Sequence, residues 1–346
     1  MSVDRFNVPA ILIAVVVICA ALNVASGVFA PLALALLIIA LLWPVQHTLQ
    51  AFMPRSLALL FSLVSLIIVF ALFSYITLWA FGRTARWIIN DVSRFQSVYD
   101  QLTVWLEGHG IAVAAIWTEH FNTSSAISLI QTISGRLNTT MSFWVVVLVY
   151  VFLGLPEVGN IARKMRSMDN PELGRVLLQG SMVTGAKIRR YMLVRTFMSA
   201  ITGLLFFTMA SAVGLPLSKE WGVLAFVLNY IPFLGPLIAT LLPTLIAIVE
   251  FQYWQSAALF FVALNLIQFA VGSYIEPRVS GNALSISPFL VLFAIFFWAY
   301  MWGMFGAFIG VPITIAVLTF CDQHDRTRWL ACLLGGTDQK PEKRGA

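Results

Sequence analysis

Asn229-Tyr230-Ile231-Pro232-Phe233-Leu234-Gly235-Pro236 interrupts an apolar run from Trp221 to Val249 that would otherwise read as one plain helix. Each proline lacks a backbone donor and leaves the carbonyl four residues earlier without its helical partner. Pro232 thereby frees the carbonyl of Leu228, Pro236 that of Pro232, and Pro243 that of Ala239. Asn229 can donate to one of these oxygens, and Gly235 lets the backbone bend or a ligand come close. In hydrocarbon an orphaned carbonyl is so costly that a broken helix persists only where protein, water or ligand satisfies it.

Composition places that break in hydrocarbon. The chain has 346 residues, of which 60% are hydrophobic and 10% charged. A soluble domain carries about 45–50% apolar and about 25% charged residues, so a soluble core could not hide this much apolar surface. The three cysteines, Cys19, Cys321 and Cys332, are too scattered for a disulfide framework or a zinc site. A net charge of +6 does not signal nucleic acid, because the cations cluster beside hydrophobic segments and set membrane orientation instead.

A helix needs about 20 apolar residues to cross the hydrocarbon. Candidate spans are 8–25, 30–43, 57–81, 141–155, 191–213, 221–249, 254–275 and 288–320. The expected fold is therefore all-α, a polytopic transmembrane bundle of about eight spans with broken helices in its C-terminal half. The sixth and eighth segments are too long for simple spans; both contain Pro-Phe-Leu and carry glycine and proline interruptions, a likeness too thin to count as a repeat. Arg5 before the first segment and Ala25-Ser26-Gly27 after it imitate a secretory signal. A second apolar segment follows at once, so an uncleaved helical pair is expected.

Of the lysines and arginines, 14 fall on one side of such a bundle, including Arg5, Arg55, the block from Arg163 to Arg190 and the tail from Arg326 to Arg344. Six fall on the other: Arg83, Arg86, Arg94, Arg136, Lys219 and Arg278. Arg195 is left over, close enough to the basic face to snorkel there. Both termini are therefore expected in the cytoplasm.

The organisation follows: N-terminal spans over 1–81, an extracytoplasmic amphipathic region over 82–140, a core over 141–320 with a cytoplasmic loop at 156–190, and a tail over 321–346. In the outer excursion Ile88, Val92, Phe95, Tyr99, Leu102 and Leu106 recur at helical spacing, and Ile127, Ile130, Ile133 and Leu137 do so again. Such helices either contact neighbouring subunits or cap a pore, or lie on the lipid interface. The basic inner excursion suits orientation and anionic lipid.

Catalytic motifs are missing: no Gly-x-Ser-x-Gly, no His-Glu-x-x-His and no run of carboxylates within the spans. Gly180 to Lys187 falls short of a phosphate-binding loop, and the four histidines are isolated. No catalytic residue, metal or cofactor is expected. Interrupted helices near the bilayer midplane commonly frame substrate sites in secondary transporters, which makes Asn229, Tyr230, Pro232, Gly235 and Pro236 candidates for a solute pathway. Asn265 and Gln268 add polar atoms that need partners inside a bundle.

A second region runs from Ile275 to Pro288. Glu276 and Arg278 stand at a span end, where charges pair with each other or with backbone. Glu276 is either a proton carrier, if buried, or an ion-pair anchor beside Pro277. Gly281 follows as a hinge or packing position. In the eighth segment Gly303, Gly306 and Gly310 precede Pro312, and Gly306-x-x-x-Gly310 lets helices approach closely. Packing is the plain reading of these positions and gating the sharper one.

Asn229-Tyr230-Ile231-Pro232 with Gly235, Glu276-Pro277-Arg278 with Gly281 and Ser287-Pro288, and the stretch from Trp302-Gly303 to Pro312 together resemble the autoinducer-2 exporter (AI-2E) family of bacterial membrane proteins. The span layout, with a polar excursion between the third and fourth helices, resembles it too. The resemblance implies a multi-span inner-membrane transporter working in a lipid bilayer. Some members export the quorum-sensing molecule autoinducer-2; others act as sodium- or lithium-proton antiporters. Homo-oligomers, pentamers among them, are implied by the same resemblance. The expected cargo is a small polar metabolite, with a monovalent cation as the alternative, and no nucleic acid.

Overall fold

The structure, a computed structural model, describes residues 4–91, 94, 107–108, 123–251, 253–280, 286–323 and 327–335, and of 4–9, 11–12, 123–141 and 280 the backbone alone. Gly281 lies outside the described residues, as do most of the first amphipathic stretch (Val92, Phe95, Tyr99, Leu102 and Leu106) and the tail after Gly335. Among the described residues the chain is helical, with one isolated bridge between Ile286 and Gly335. The helices are α1 (Asp4–Val24), α2 (Ser26–Leu49), α3 (Arg55–Asn90), α4 (Thr123–Arg166), α5 (Pro171–Ala212), α6 (Ser218–Leu228), α7 (Leu234–Glu250), α8 (Trp254–Phe269), α9 (Glu276–Ser280), α10 (Pro288–Gln323) and α11 (Arg328–Leu334). A π-helical segment, Ala270–Ile275, joins α8 to α9.

Each of the eight apolar segments is present. The boundaries expected at residues 82, 141 and 156 fall inside continuous helices, since α3 runs on to Asn90 and α4 runs from Thr123 through Pro156 to Arg166. At a rise of 1.5 Å per residue, α4 and α5 are each about 60 Å long, roughly twice the hydrocarbon thickness. The inner excursion is thus mostly helix, broken only at residues 167–170.

The chain divides into two units, one of residues 1–64, 143–192 and 282–346, the other of 65–142 and 193–281. In the first, Pro44 inside α2 orphans the carbonyl of Ala40. Arg189 of α5 donates to that oxygen at 3.1 Å, so this arginine is a helix clasp as well as a basic-face charge. The long apolar α10 is not straight: Trp302 and Gly303 leave helical geometry, Gly303 at φ 65°, ψ −146°. A Cβ on Gly306 would lie 1.8 Å from the Trp298 carbonyl oxygen, and one on Gly310 would lie 3.0 Å from that of Ala294. These pairings step forward on one arm and backward on the other, so α10 folds back into a hairpin whose arms touch through glycine. Its tip is tied down from the α1–α2 corner: Trp302 Nε1 donates to the Leu22 carbonyl (3.1 Å) and Asn23 Nδ2 to that of Met301 (3.5 Å). Gly306 and Gly310 are therefore packing positions, and Pro312 is buried beside them.

In the second unit the broken sixth segment is also a hairpin. Its first arm, α6, has 11 residues and its second, α7, has 17, about 16 and 25 Å against about 30 Å of hydrocarbon. Two ion pairs fix its direction. Arg83 near the end of α3 meets Glu220 at the start of α6 (3.0 Å), and Arg94 just beyond α3 meets Glu250 at the end of α7 (2.8 Å). Glu250 and Phe251 also share a cavity of about 470 Å³ with Met209 and Val213 at the end of α5. Both feet of the hairpin thus stand at one end of α5, and the turn at 229–233 is its tip. Buried Trp221 and Leu224 of α6, Ala239 and Ile246 of α7, Phe206 of α5 and Phe260 of α8 form the core that holds it.

Candidate functional site

The tip is assembled from the residues that mark the break in the sequence, but not as freed oxygens. The Leu228 carbonyl accepts from Ile231 N–H at 3.0 Å, and the Pro232 carbonyl accepts from Leu234 N–H at 2.7 Å. The second bond closes a γ-turn around Phe233, whose φ of 62° and ψ of −57° cost a non-glycine residue about 1–3 kcal/mol. Pro236 sits in the first turn of α7, where a missing N–H orphans nothing. The expectation that Pro232 and Pro236 leave these oxygens open is thereby corrected, since local turns consume them. Gly235 is buried, and a Cβ there would lie 1.9 Å from the Leu228 oxygen. The prolines shape the tip and the glycine closes it.

Side chains supply the polarity. Asn229, 4% exposed, donates from Nδ2 to Ser199 Oγ on α5 at 3.4 Å rather than to a freed carbonyl. Tyr230 bonds through its hydroxyl to Thr196 Oγ1 at 2.9 Å, and its ring stands edge-on to Phe73 and Phe226. Tighter still, α5 and α6 cross at Gly203 and Gly222, where added Cβ atoms would meet the opposite carbonyl oxygens at 2.7 and 2.9 Å.

On its other flank α5 meets the π segment. Arg195 is 6% exposed and its Nη1 donates to both Glu276 oxygens, at 3.2 and 3.3 Å. The sequence offered Arg278 as the partner of Glu276, and the structure corrects this. Residues two apart do not face each other on a helix, and Arg278 instead donates to Tyr274 Oη (2.7 Å) while lying 3.9 Å above its ring. The π turn makes the Arg195 contact possible. Glu276 N–H bonds to the Val271 carbonyl five residues back, and the inserted residue brings Glu276 onto the buried face of Val271. Val271 packs with Met198 and Val194.

The pairs Arg195–Glu276 and Met198–Val271 run in opposite directions along the two elements, which puts Thr202 of α5 level with Gln268 of α8. Both carry buried polar atoms, Thr202 Oγ1 and Gln268 Nε2, without a hydrogen-bond partner among the described residues; Arg195 Nε is a third. Asn265 is not part of this group. It is exposed and donates to the Phe261 carbonyl of its own helix at 2.8 Å. Gly303, Gly306, Gly310 and Pro312 belong to the other hairpin.

The candidate site thus consists of Asn229, Tyr230 and Gly235 at the tip, Glu276 and Gln268 on the opposite flank, and a row on α5 made of Arg195, Ser199 and Thr202. That row was legible as polar residues at i, i+4 and i+7 in an apolar helix, which places them on one face. All three are buried. A continuous apolar helix could fill this space with leucine; buried polar groups in a membrane mark function by default.

Comparison with known proteins adds the family. The model described as AI-2E family transporter matches residues 11–326. The chain is similar to the "AI-2 transport protein TqsA" of Escherichia coli (strain K12), with 28% identity over 94% of both chains. It is also similar, at 26% identity over 94% of this chain and 95% of the relative, to a Haemophilus influenzae protein named for transport without a solute. A Borreliella burgdorferi protein named in the same way is 29% identical over 58% of this chain and 55% of its own.

Proposed function

Because the chain belongs to the AI-2E family of transporters, we propose that it exports a small polar metabolite such as AI-2 across the bacterial inner membrane. The solute binds where the α6–α7 tip meets the polar row of α5, and rocking of that hairpin alternates access. The observation that carries this reading is the buried polar row Arg195, Ser199 and Thr202, joined to the hairpin tip through Ser199, in a chain that is 60% hydrophobic. The solute named for the Escherichia coli relative supplies the cargo class.

In the proposed orientation both termini are cytoplasmic and α5 runs outward. The α6–α7 hairpin then dips in from the outer face and α8 returns to the cytoplasmic side. Arg278, which would lie outside if the sixth segment crossed, joins the basic face with Glu276 and Arg195, in keeping with the positive-inside rule. The cation–proton antiport alternative needs a free carboxylate. Its best candidate, Glu276, is engaged at both oxygens by Arg195, so proton exchange there must first break that pair.

The double substitution Asn229→Ala with Pro232→Leu removes the tip amide and the turn. It is expected to cut export at least tenfold with the protein still folded in the membrane, read by comparing AI-2 inside and outside cells that make the native or altered chain. Full export by the altered chain rejects the proposal.

A further inference from the structure

We propose that Thr202 and Gln268 are the specificity-determining pair of the solute site, and that they select an uncharged solute presenting hydroxyl or carbonyl oxygens. The inference rests on the export reading above and adds which atoms read the cargo. Its starting point is a departure from local habit. In apolar helices a threonine hydroxyl ordinarily bonds back to a carbonyl three or four residues earlier. Thr208, Thr244, Thr314 and Thr319 all do so, at 2.7–2.9 Å. Thr202 is fully buried, yet its hydroxyl, like those of Thr84 and Thr184, has no partner among the described residues; what sets Thr202 apart is Gln268 at its level on α8. The same contrast holds on α8, where Asn265 satisfies its amide on its own helix while the buried Nε2 of Gln268 does not.

Two unpaired groups at one level on facing elements are costly unless something transient pairs with them. Their chemistry defines that visitor. The Gln268 NH₂ can only donate and the Thr202 hydroxyl can donate or accept, so the visitor brings acceptor oxygens. The one guanidinium in the row, that of Arg195, is already matched by the Glu276 carboxylate. A neutral solute therefore fits, because the row holds no uncompensated charge to pair with an ionic one. A site built to hydrogen-bond such oxygens rejects analogues lacking them far more strongly than an apolar pocket rejects a missing methylene.

The test uses purified full-length protein in liposomes, with AI-2 as the probe. Thr202→Val and Gln268→Leu keep the shape and remove the unpaired atoms. Each is expected to raise the KM for AI-2 flux about tenfold while the melting temperature holds or rises, because deleting an unsatisfied buried polar atom relieves its desolvation cost. Thr208→Val, whose hydroxyl serves its own helix, should leave KM unchanged. A KM within twofold of native in both variants overturns the inference, as does a melting temperature that falls in step with flux, since that marks a structural role. Native protein that moves no AI-2 removes the export reading itself, and this inference with it.

Discussion

Gly235→Ala is expected to abolish solute flux and to lower thermal stability more than any other single methyl added to the chain's second unit. The added carbon would lie 1.9 Å from the Leu228 carbonyl oxygen, which is backbone and already committed to Ile231 N–H. No rotamer change relieves such a clash, so the tip must open. Overpacking typically costs about 1–3 kcal/mol and occasionally more, and a clash with backbone stands at the upper end. The loss should appear as flux below a tenth of native in liposomes and as a lowered melting temperature in detergent. Gly82→Ala is the control: it sits in α3 with nothing within 4 Å of the new carbon, and alanine stabilises a helix interior by about 1 kcal/mol over glycine. Equal flux from the Gly235 and Gly82 variants would show that the tip does not close on Gly235.

The second large effect concerns Arg195 and Glu276, and it should be asymmetric. The Arg195 side chain is 7% exposed and that of Glu276 29%. Glu276→Ala strands a guanidinium in the protein interior, where breaking a buried pair costs about 3–5 kcal/mol. Arg195→Met strands a carboxylate that can still turn toward solvent, so its penalty should be clearly smaller. The double variant Arg195→Met with Glu276→Leu should recover most of the stability lost by Glu276→Ala, because no unpaired charge remains. Melting temperatures of the three variants decide the matter. Equal losses for both single variants, or no recovery in the double, would mean that the pair is not the buried contact described.

Much of the architecture could be read from hydropathy alone, because each long apolar run had to become a helix in lipid. Re-entry could not be read so directly. Pro232 and Pro236 announce a break but not its angle, and a kinked crossing and a hairpin share one hydropathy profile. The arm lengths were the available clue: 11 residues before the turn are far too few to cross, and 17 after it reach only about 25 Å against about 30 Å of hydrocarbon. The prolines do not mark where the buried polarity lies. Carbonyls freed from helical bonds at Leu228 and Pro232 were recaptured within the turn, and the buried polar groups lie on α5. Arg195 alone reads as a snorkelling cation, but it shares its helix face with buried Ser199 and Thr202. The π segment has no periodic signature, so the rotation that delivers Glu276 to Arg195 was hidden behind ordinary apolar spacing.

Both feet of the α6–α7 hairpin lie at one end of α5, and the whole reading of the site depends on that reversal. Single cysteines at Lys219, Tyr253 and Arg278, in a background with Cys19, Cys321 and Cys332 changed to Ser, report it through a membrane-impermeant thiol reagent applied to intact cells. Residues 219 and 253 should label from outside, and residue 278 only after the membrane is opened. Labelling that places Lys219 and Tyr253 on opposite sides would make the sixth segment a crossing helix and contradict the account.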